Sequence, residues 1–184
     1  TNQIVGRLAS AGAKMAEFGI NYGTFREAIM VQMTWPGAPT LYYGDEAGVC
    51  GWTDPDNRRT YPWGSEDFEL IEYHRYLIDL HKKLPALRRG SLKQLQADRQ
   101  LIVYGRMSGE NKCAVIINNR GEGRSVSVPV WELGITDEDV ITRMMLSDEK
   151  GYNAGRIDYH ADHGCLTLDV PAHSGVLLSS GALV

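Results

Sequence analysis

Polar and apolar residues change rhythm once along this chain, near residue 90. Before that point apolar positions recur at helical spacing. After it they come in short alternating runs separated by turn residues. A loose helical pattern runs from about Ile4 to Phe18, weakened by Gly6 and Gly12 and broken at Asn21-Tyr22-Gly23. Thr24 and Glu27 have the T-x-x-E spacing of a capping box, which predicts a helix start there. Ala28, Ile29, Val31, Gln32 and Met33 continue it, and Trp35-Pro36-Gly37-Ala38-Pro39 ends it, because proline has no amide to extend the ladder. Thr40-Leu41-Tyr42-Tyr43 is β-branched and aromatic between Pro39 and Gly44, and reads as a buried strand.

From Gly44 to Gly64 no periodicity is present, and a loop of this length in a compact protein is usually functional. A strong amphipathic pattern follows Ser65. Leu70, Ile71, His74, Leu77, Ile78, His81 and Leu84 share one stripe, and Pro85 and Gly90 close it. The second half predicts strands over Ser91–Leu95, Gln100–Arg106, Lys112–Asn118, Arg124–Val130, Val140–Met145, Cys165–Val170 and Gly175–Leu178, with turns at Ser108–Asn111 and Asn119–Gly121. Such spacing suggests an antiparallel sandwich. No fixed-period repeat or low-complexity tract interrupts either half.

Composition narrows the class. The chain has 184 residues, 43% of them hydrophobic, which is enough apolar surface for a packed core and excludes a disordered chain, a collagen repeat and a coiled coil. No apolar run is long enough to span a membrane. With 19 basic against 23 acidic residues, the net charge of −4 argues against nucleic acid as a partner. Cys50, Cys113 and Cys165 are odd in number and far apart, so neither a zinc site nor a disulfide framework is expected, and a reducing, cytoplasmic setting is the default. Residue 1 is Thr, so the native start is expected upstream and the lack of a signal peptide says little about export.

The candidate chemistry lies in the long loop. Residues 35–63 carry Trp35, Tyr42, Tyr43, Trp52, Tyr61 and Trp63 together with Asp45, Glu46, Asp54, Asp56, Arg58 and Arg59. Aromatic faces suit the apolar faces of a pyranose, and Asp and Arg suit its hydroxyls. The competing reading is that these aromatics only pack a long loop and that Asp54-Pro55-Asp56-Asn57 is an ordinary turn.

Those residues carry a resemblance. Pro36-Gly37-Ala38-Pro39-Thr40-Leu41-Tyr42-Tyr43-Gly44-Asp45-Glu46, then Asp54-Pro55-Asp56-Asn57-Arg58-Arg59 and Tyr61-Pro62-Trp63, resembles the last barrel strand and following loop of the α-amylase superfamily, glycoside hydrolase family 13. It is most similar to the neopullulanase, cyclomaltodextrinase and maltogenic amylase branch. Leu84-Pro85-Ala86-Leu87-Arg88-Arg89-Gly90 resembles the junction between the last barrel helix and the C-terminal sandwich, and Val170-Pro171-Ala172-His173-Ser174-Gly175-Val176-Leu177-Leu178 its final strand. The resemblance implies two parts: residues 1–91 as the C-terminal piece of a (β/α)8 TIM barrel, and residues 92–184 as an antiparallel β-sandwich, the amylase domain C.

It also implies retaining hydrolysis or transfer at α-1,4 and α-1,6 glucosidic bonds, which needs two carboxylates roughly 5–5.5 Å apart. The family's nucleophile Asp, acid/base Glu and stabilising Asp all precede this strand. Arg156-Ile157-Asp158 matches an R-x-D only as a tripeptide, and no His-Asp pair occurs; Thr1 is expected to follow directly on that pair in a longer chain. No catalytic residue is therefore assigned, and the chain alone is expected to be inactive. Asp54–Asp56 or Asp45–Glu46 as a substitute pair is disfavoured, because adjacent positions point apart. By match to the family's motif, Asp54 and Arg58 contact a glucose unit, and Trp52 adds a stacking face. Arg59 is expected in a structural ion pair, and Asp45 and Glu46 are expected to satisfy loop amides.

No metal or other cofactor is expected. His160-Ala161-Asp162-His163 has the look of a ligand cluster but reads better as a polar loop. His74 and His81 read as half-buried packing residues, Gly151–Arg156 does not match a phosphate loop, and Met144-Met145 reads as sandwich core. The expected partners are an α-glucan or maltooligosaccharide, the missing N-terminal barrel part, and a second copy by self-association, since one barrel strand has unpartnered edges. The alternatives are a non-catalytic carbohydrate-binding module and a purely structural domain.

Overall fold

The computed structural model describes residues 19–51, 54–109 and 111–181. The helix expected over 4–18 lies outside them. Helix α1 spans Tyr22–Thr34, α2 Phe68–Lys83 and α3 Pro85–Arg89, with a 3-10 turn at Asp56–Arg58. Nine strands follow: β1 (Ser91–Ala97), β2 (Leu101–Met107), β3 (Asn111–Asn118), β4 (Arg124–Val128), β5 (Ile141–Asp148), β6 (Gly151–Asn153), β7 (Ile157–Tyr159), β8 (Leu166–Val170) and β9 (Ser174–Gly181).

The strands form two antiparallel sheets. One runs β1-β2-β3-β9-β5-β6, with β7 also paired to β5; the other is the pair β4-β8. Alternation along the central strands assigns each residue to one of two cores. Cys113, Val115 and Ile117 of β3 face the helices, and Ala114 and Ile116 face β4-β8. Leu177 of β9 faces the helices, with Val176 and Leu178 on the opposite side. The helix-side core is closed by Phe25, Ile29, Met30 and Met33 of α1 and Leu70, Tyr73, Leu77 and Leu80 of α2. The β4-β8 side is closed by Val126, Val128, Leu166 and Val170.

Met144 and Met145 are consecutive yet both enter the helix-side core, against the strict alternation of a strand. A register shift in the β5–β9 pairing between Arg143 and Met145 explains this, because a bulge gives one extra residue to one face. The sequence reading places this pair in the sandwich core; it packs beneath the helices. Close approach of α1 to the sheet depends on Gly175, where a Cβ would sit 2.8 Å from the Met30 sulfur.

Two local expectations change. Helix α1 is capped by Asn21, whose side chain accepts from the Thr24 amide at 3.0 Å. Thr24 is therefore already inside the first turn. Its hydroxyl instead meets Asn119 Oδ1 at 3.2 Å, and Glu27 is buried beyond reach of a capping role. No strand forms over Thr40–Tyr43: no described strand lies beside this segment to complete a ladder, and Tyr42 and Tyr43 are 49% and 46% exposed. Helix α2 begins at its Asp67 cap, and its buried face is Leu70, Tyr73, His74, Leu77 and Leu80.

Candidate functional site

The loop between α1 and α2 is built from local hydrogen bonds. Successive turns join Asp45 N–H to Tyr42 O, Ala47 N–H to Gly44 O and Gly48 N–H to Asp45 O. Gly44 and Gly48 have φ of +85° and +79°, a left-handed conformation that suits glycine. Glu46 accepts from the Gly44 amide at 3.1 Å, the loop-satisfying role the sequence suggests. Asp45 is buried, and that burial pushes its carboxyl above the usual range while the nearby His74 ring pulls it back. His74 itself is buried with Nδ1 2.7 Å from Leu70 O, and burial lowers its basicity.

Past these turns the chain reaches its arginines. Arg58 Nε lies 2.7 Å from Asp54 Oδ1, and the two side chains are 69% and 61% exposed. Arg59 donates from Nε and Nη2 to Asp56 Oδ1 at 3.0 and 2.9 Å. Tyr43 OH donates to Arg59 O at 2.8 Å, stitching the two limbs of the loop together. The sequence expectation of an Arg59 ion pair matches this geometry. Asp54 and Arg58, assigned to sugar contact, are paired with each other and open to solvent. Trp52 lies outside the described residues. The aromatics gather in two pairs: the exposed Tyr42 and Tyr43, ring centroids 4.9 Å apart, and the half-buried Tyr61 with the exposed Trp63, 4.5 Å apart. Trp63 is 83% exposed.

Together these groups give a carboxylate, a guanidinium and flat apolar faces on one loop. Groups of these kinds have the chemistry to meet a hydroxylated ring by bidentate hydrogen bonding and stacking. Among the described loop residues, Asp54 and Asp56 each pair with an arginine and Glu46 accepts from an amide. Elsewhere His163 and Asp162 lie 3.8 Å apart on an open turn, 95% and 94% exposed, and no group of three or more His, Cys, Asp or Glu converges on a metal-sized site among the described residues. Cys50, Cys113 and Cys165 form no disulfide among the described residues.

One functional neighbour is missed by sequence reasoning. Arg106 on β2 is 1% exposed and reaches across to the end of α1, where the loop departs. The available signal is weak: a cation in an otherwise apolar strand run, which normally reads as a solvent-facing position.

No family model matches the chain. It is 33% identical over 174 residues to neopullulanase 2 of Thermoactinomyces vulgaris, covering 89% of this chain and 26% of that protein. It is 32% identical over 167 residues to an amylopullulanase of Thermoanaerobacterium thermosulfurigenes, covering 83% of this chain and 8% of that one. Among solved structures it superimposes on the debranching enzyme of Nostoc punctiforme with a TM-score of 0.68 at 29% identity, covering 89% of this chain and 32% of the other. The chain thus spans about a quarter or less of these curated relatives' length and about a third of the solved structure. The helices ahead of an antiparallel sandwich, the ordered loop motif and these relatives agree: the chain belongs to the α-amylase superfamily, glycoside hydrolase family 13, and corresponds to a C-terminal portion of its members.

Proposed function

We propose that this chain supplies substrate-loop contacts and the accessory sandwich to an α-glucan-acting retaining glycoside hydrolase of the neopullulanase type, and that alone it does not cleave glycosidic bonds. The observation that carries the reading is the solvent-open Asp54–Arg58 pair, with the exposed rings of Tyr42, Tyr43 and Trp63 on the same loop. Arg58 offers N–H donors and Asp54 acceptor oxygens to adjacent hydroxyls of a glucose unit, and Trp52 adds a stacking face. The occupied carboxylates support the inactivity, because hydrolysis with retention needs two acids placed on either side of one glycosidic bond.

The half-exposed Tyr42 and Tyr43, in a segment without a strand partner, favour association with the barrel part that bears the catalytic carboxylates, or else with a second copy. Activity assays on maltooligosaccharides, pullulan and cyclodextrins test the reading. The purified chain is expected to give no product. Robust hydrolysis lost in Asp54→Ala would overturn it.

A further inference from the structure

The end of α1 raises a problem that α1 does not solve itself. The last four carbonyls of a helix lack intrahelical partners, and the last turn of α1 contains no basic residue to offset the helix dipole. Thr34 is fully buried, so its carbonyl cannot turn to water. The partner comes from the sandwich. Arg106 Nη1 donates to Thr34 O at 2.5 Å, and Nη2 donates to Gly90 O at 2.9 Å, just before β1. Beside it, Tyr104 OH lies 2.5 Å from Thr34 Oγ1, and the Tyr104 ring takes Trp35 edge-on at 5.2 Å.

The aromatic limb of the loop starts at Trp35. From there Thr40 O accepts from Gln32 Nε2 at 2.5 Å, which folds the limb back along α1, and the limb then reaches Tyr42 and Tyr43. Farther along, Ala47 O accepts from the Asp67 amide at the start of α2. The loop is therefore held to α1 through Gln32, to the start of α2 through Asp67, and at its departure point by Tyr104 and Arg106 of β2.

We propose that Arg106 is a positioning residue for carbohydrate binding: it fixes the departure point of the aromatic limb and so couples the sandwich to the substrate loop. A guanidinium is needed because its planar fork meets two carbonyls at once, whereas an ammonium on a flexible stem meets one. The sandwich is in this account part of the binding apparatus. The sugar-binding consequence rests on the function proposed above; the loop-anchoring claim does not.

The test uses the whole 184-residue chain and three variants: Arg106→Met, Arg106→Lys and Tyr104→Phe. Amide hydrogen exchange is followed along the chain, and binding of maltoheptaose is measured by calorimetry, at a temperature where each variant retains its circular dichroism. Arg106→Met is expected to accelerate exchange over residues 35–43 by about tenfold or more relative to the β3 and β9 amides, with Arg106→Lys and Tyr104→Phe falling between it and the parent. Maltoheptaose affinity is expected to fall in the same order. Exchange over 35–43 that matches the parent in Arg106→Met overturns the anchoring claim. Should Arg106→Met fail to fold, the Arg106→Lys and Tyr104→Phe pair decides the matter by the same readout. Faster exchange without any heat from the parent chain would retain the anchor and remove the sugar reading. Faster exchange with unchanged affinity would overturn the coupling.

Discussion

The sandwich and the loop that precedes it are built from the same residue types under opposite rules. In β3 and β9 every residue from Asn111 to Asn118 is in ladder register with Gly181 to Ser174, and most of their side chains are buried. In the 35–66 loop the order comes from turns and from local side-chain bonds such as Tyr43 to Arg59 O and Arg59 to Asp56, and Trp63 stands almost bare. Burial supplies free energy in proportion to apolar area, whereas exposed ion pairs supply about 0–1 kcal/mol. On the proposed function, the sandwich carries stability and the loop carries recognition. Substitutions in the two regions should separate these properties.

The largest effect is expected in the sheet. Leu177 is fully buried in the helix-side core, so Leu177→Ala should cost about 3–4 kcal/mol, read as a fall in the urea midpoint. The loop aromatics should move sugar affinity far more than that midpoint.

Glu27 gives the next effect, and it depends on pH. It lies 4% exposed on α1, one carboxylate oxygen has no hydrogen-bond partner, and burial raises its pKa from 4.5 to about 8. The folded state therefore keeps its proton where the unfolded chain has lost it. Its contribution is fully present below pH 4.5 and is lost progressively as pH rises toward 8. Glu27→Gln should remove this dependence and gain on the order of 3 kcal/mol over the parent at pH 8.5 compared with pH 4.5. Denaturation curves at the two pH values check it, and an equal difference at both would contradict it.

A smaller loss is expected from Tyr73→Phe. The Tyr73 hydroxyl donates to Arg26 O at 2.9 Å and lies 3.2 Å from Ser147 Oγ, joining α1, α2 and β5 in the buried interior. Its removal should cost about 1–2 kcal/mol in the same denaturation assay. The smallest stability change belongs to Arg58→Ala, within about 0.5 kcal/mol, because its pair with Asp54 is open to solvent.

How far the sequence shows these regions follows from the same contrast. The long strands are visible as apolar and β-branched runs between turn residues: β2 and β3 lie within one residue of the runs read from the sequence, whereas β5 and β9 extend three residues past theirs. The three-residue strands β6 and β7 are too short and too polar to show one. The start of α1 is ambiguous locally: Asn21 with Thr24 and Thr24 with Glu27 both offer a cap, and in the fold Asn21 takes it while the Thr24 hydroxyl meets Asn119, just past β3. Thr40–Tyr43 reads as a strand because its residue types are right, but a strand also needs neighbours, which composition does not report. In the loop, the Asp56–Arg59 pair and the role of Glu46 are legible from close spacing. The reach of Arg106 from β2 to Thr34 spans 72 positions, and its one local trace, a cation in an apolar run, does not name the partner.

The most direct measurement is a calorimetric titration of maltoheptaose into the parent chain and into Arg58→Ala, with thermal melts of both. The account predicts binding by the parent, roughly tenfold weaker or absent binding by Arg58→Ala, and coincident melts. Equal binding by the two proteins, or no heat from the parent, would contradict a loop that recognises sugar on a scaffold that holds the fold.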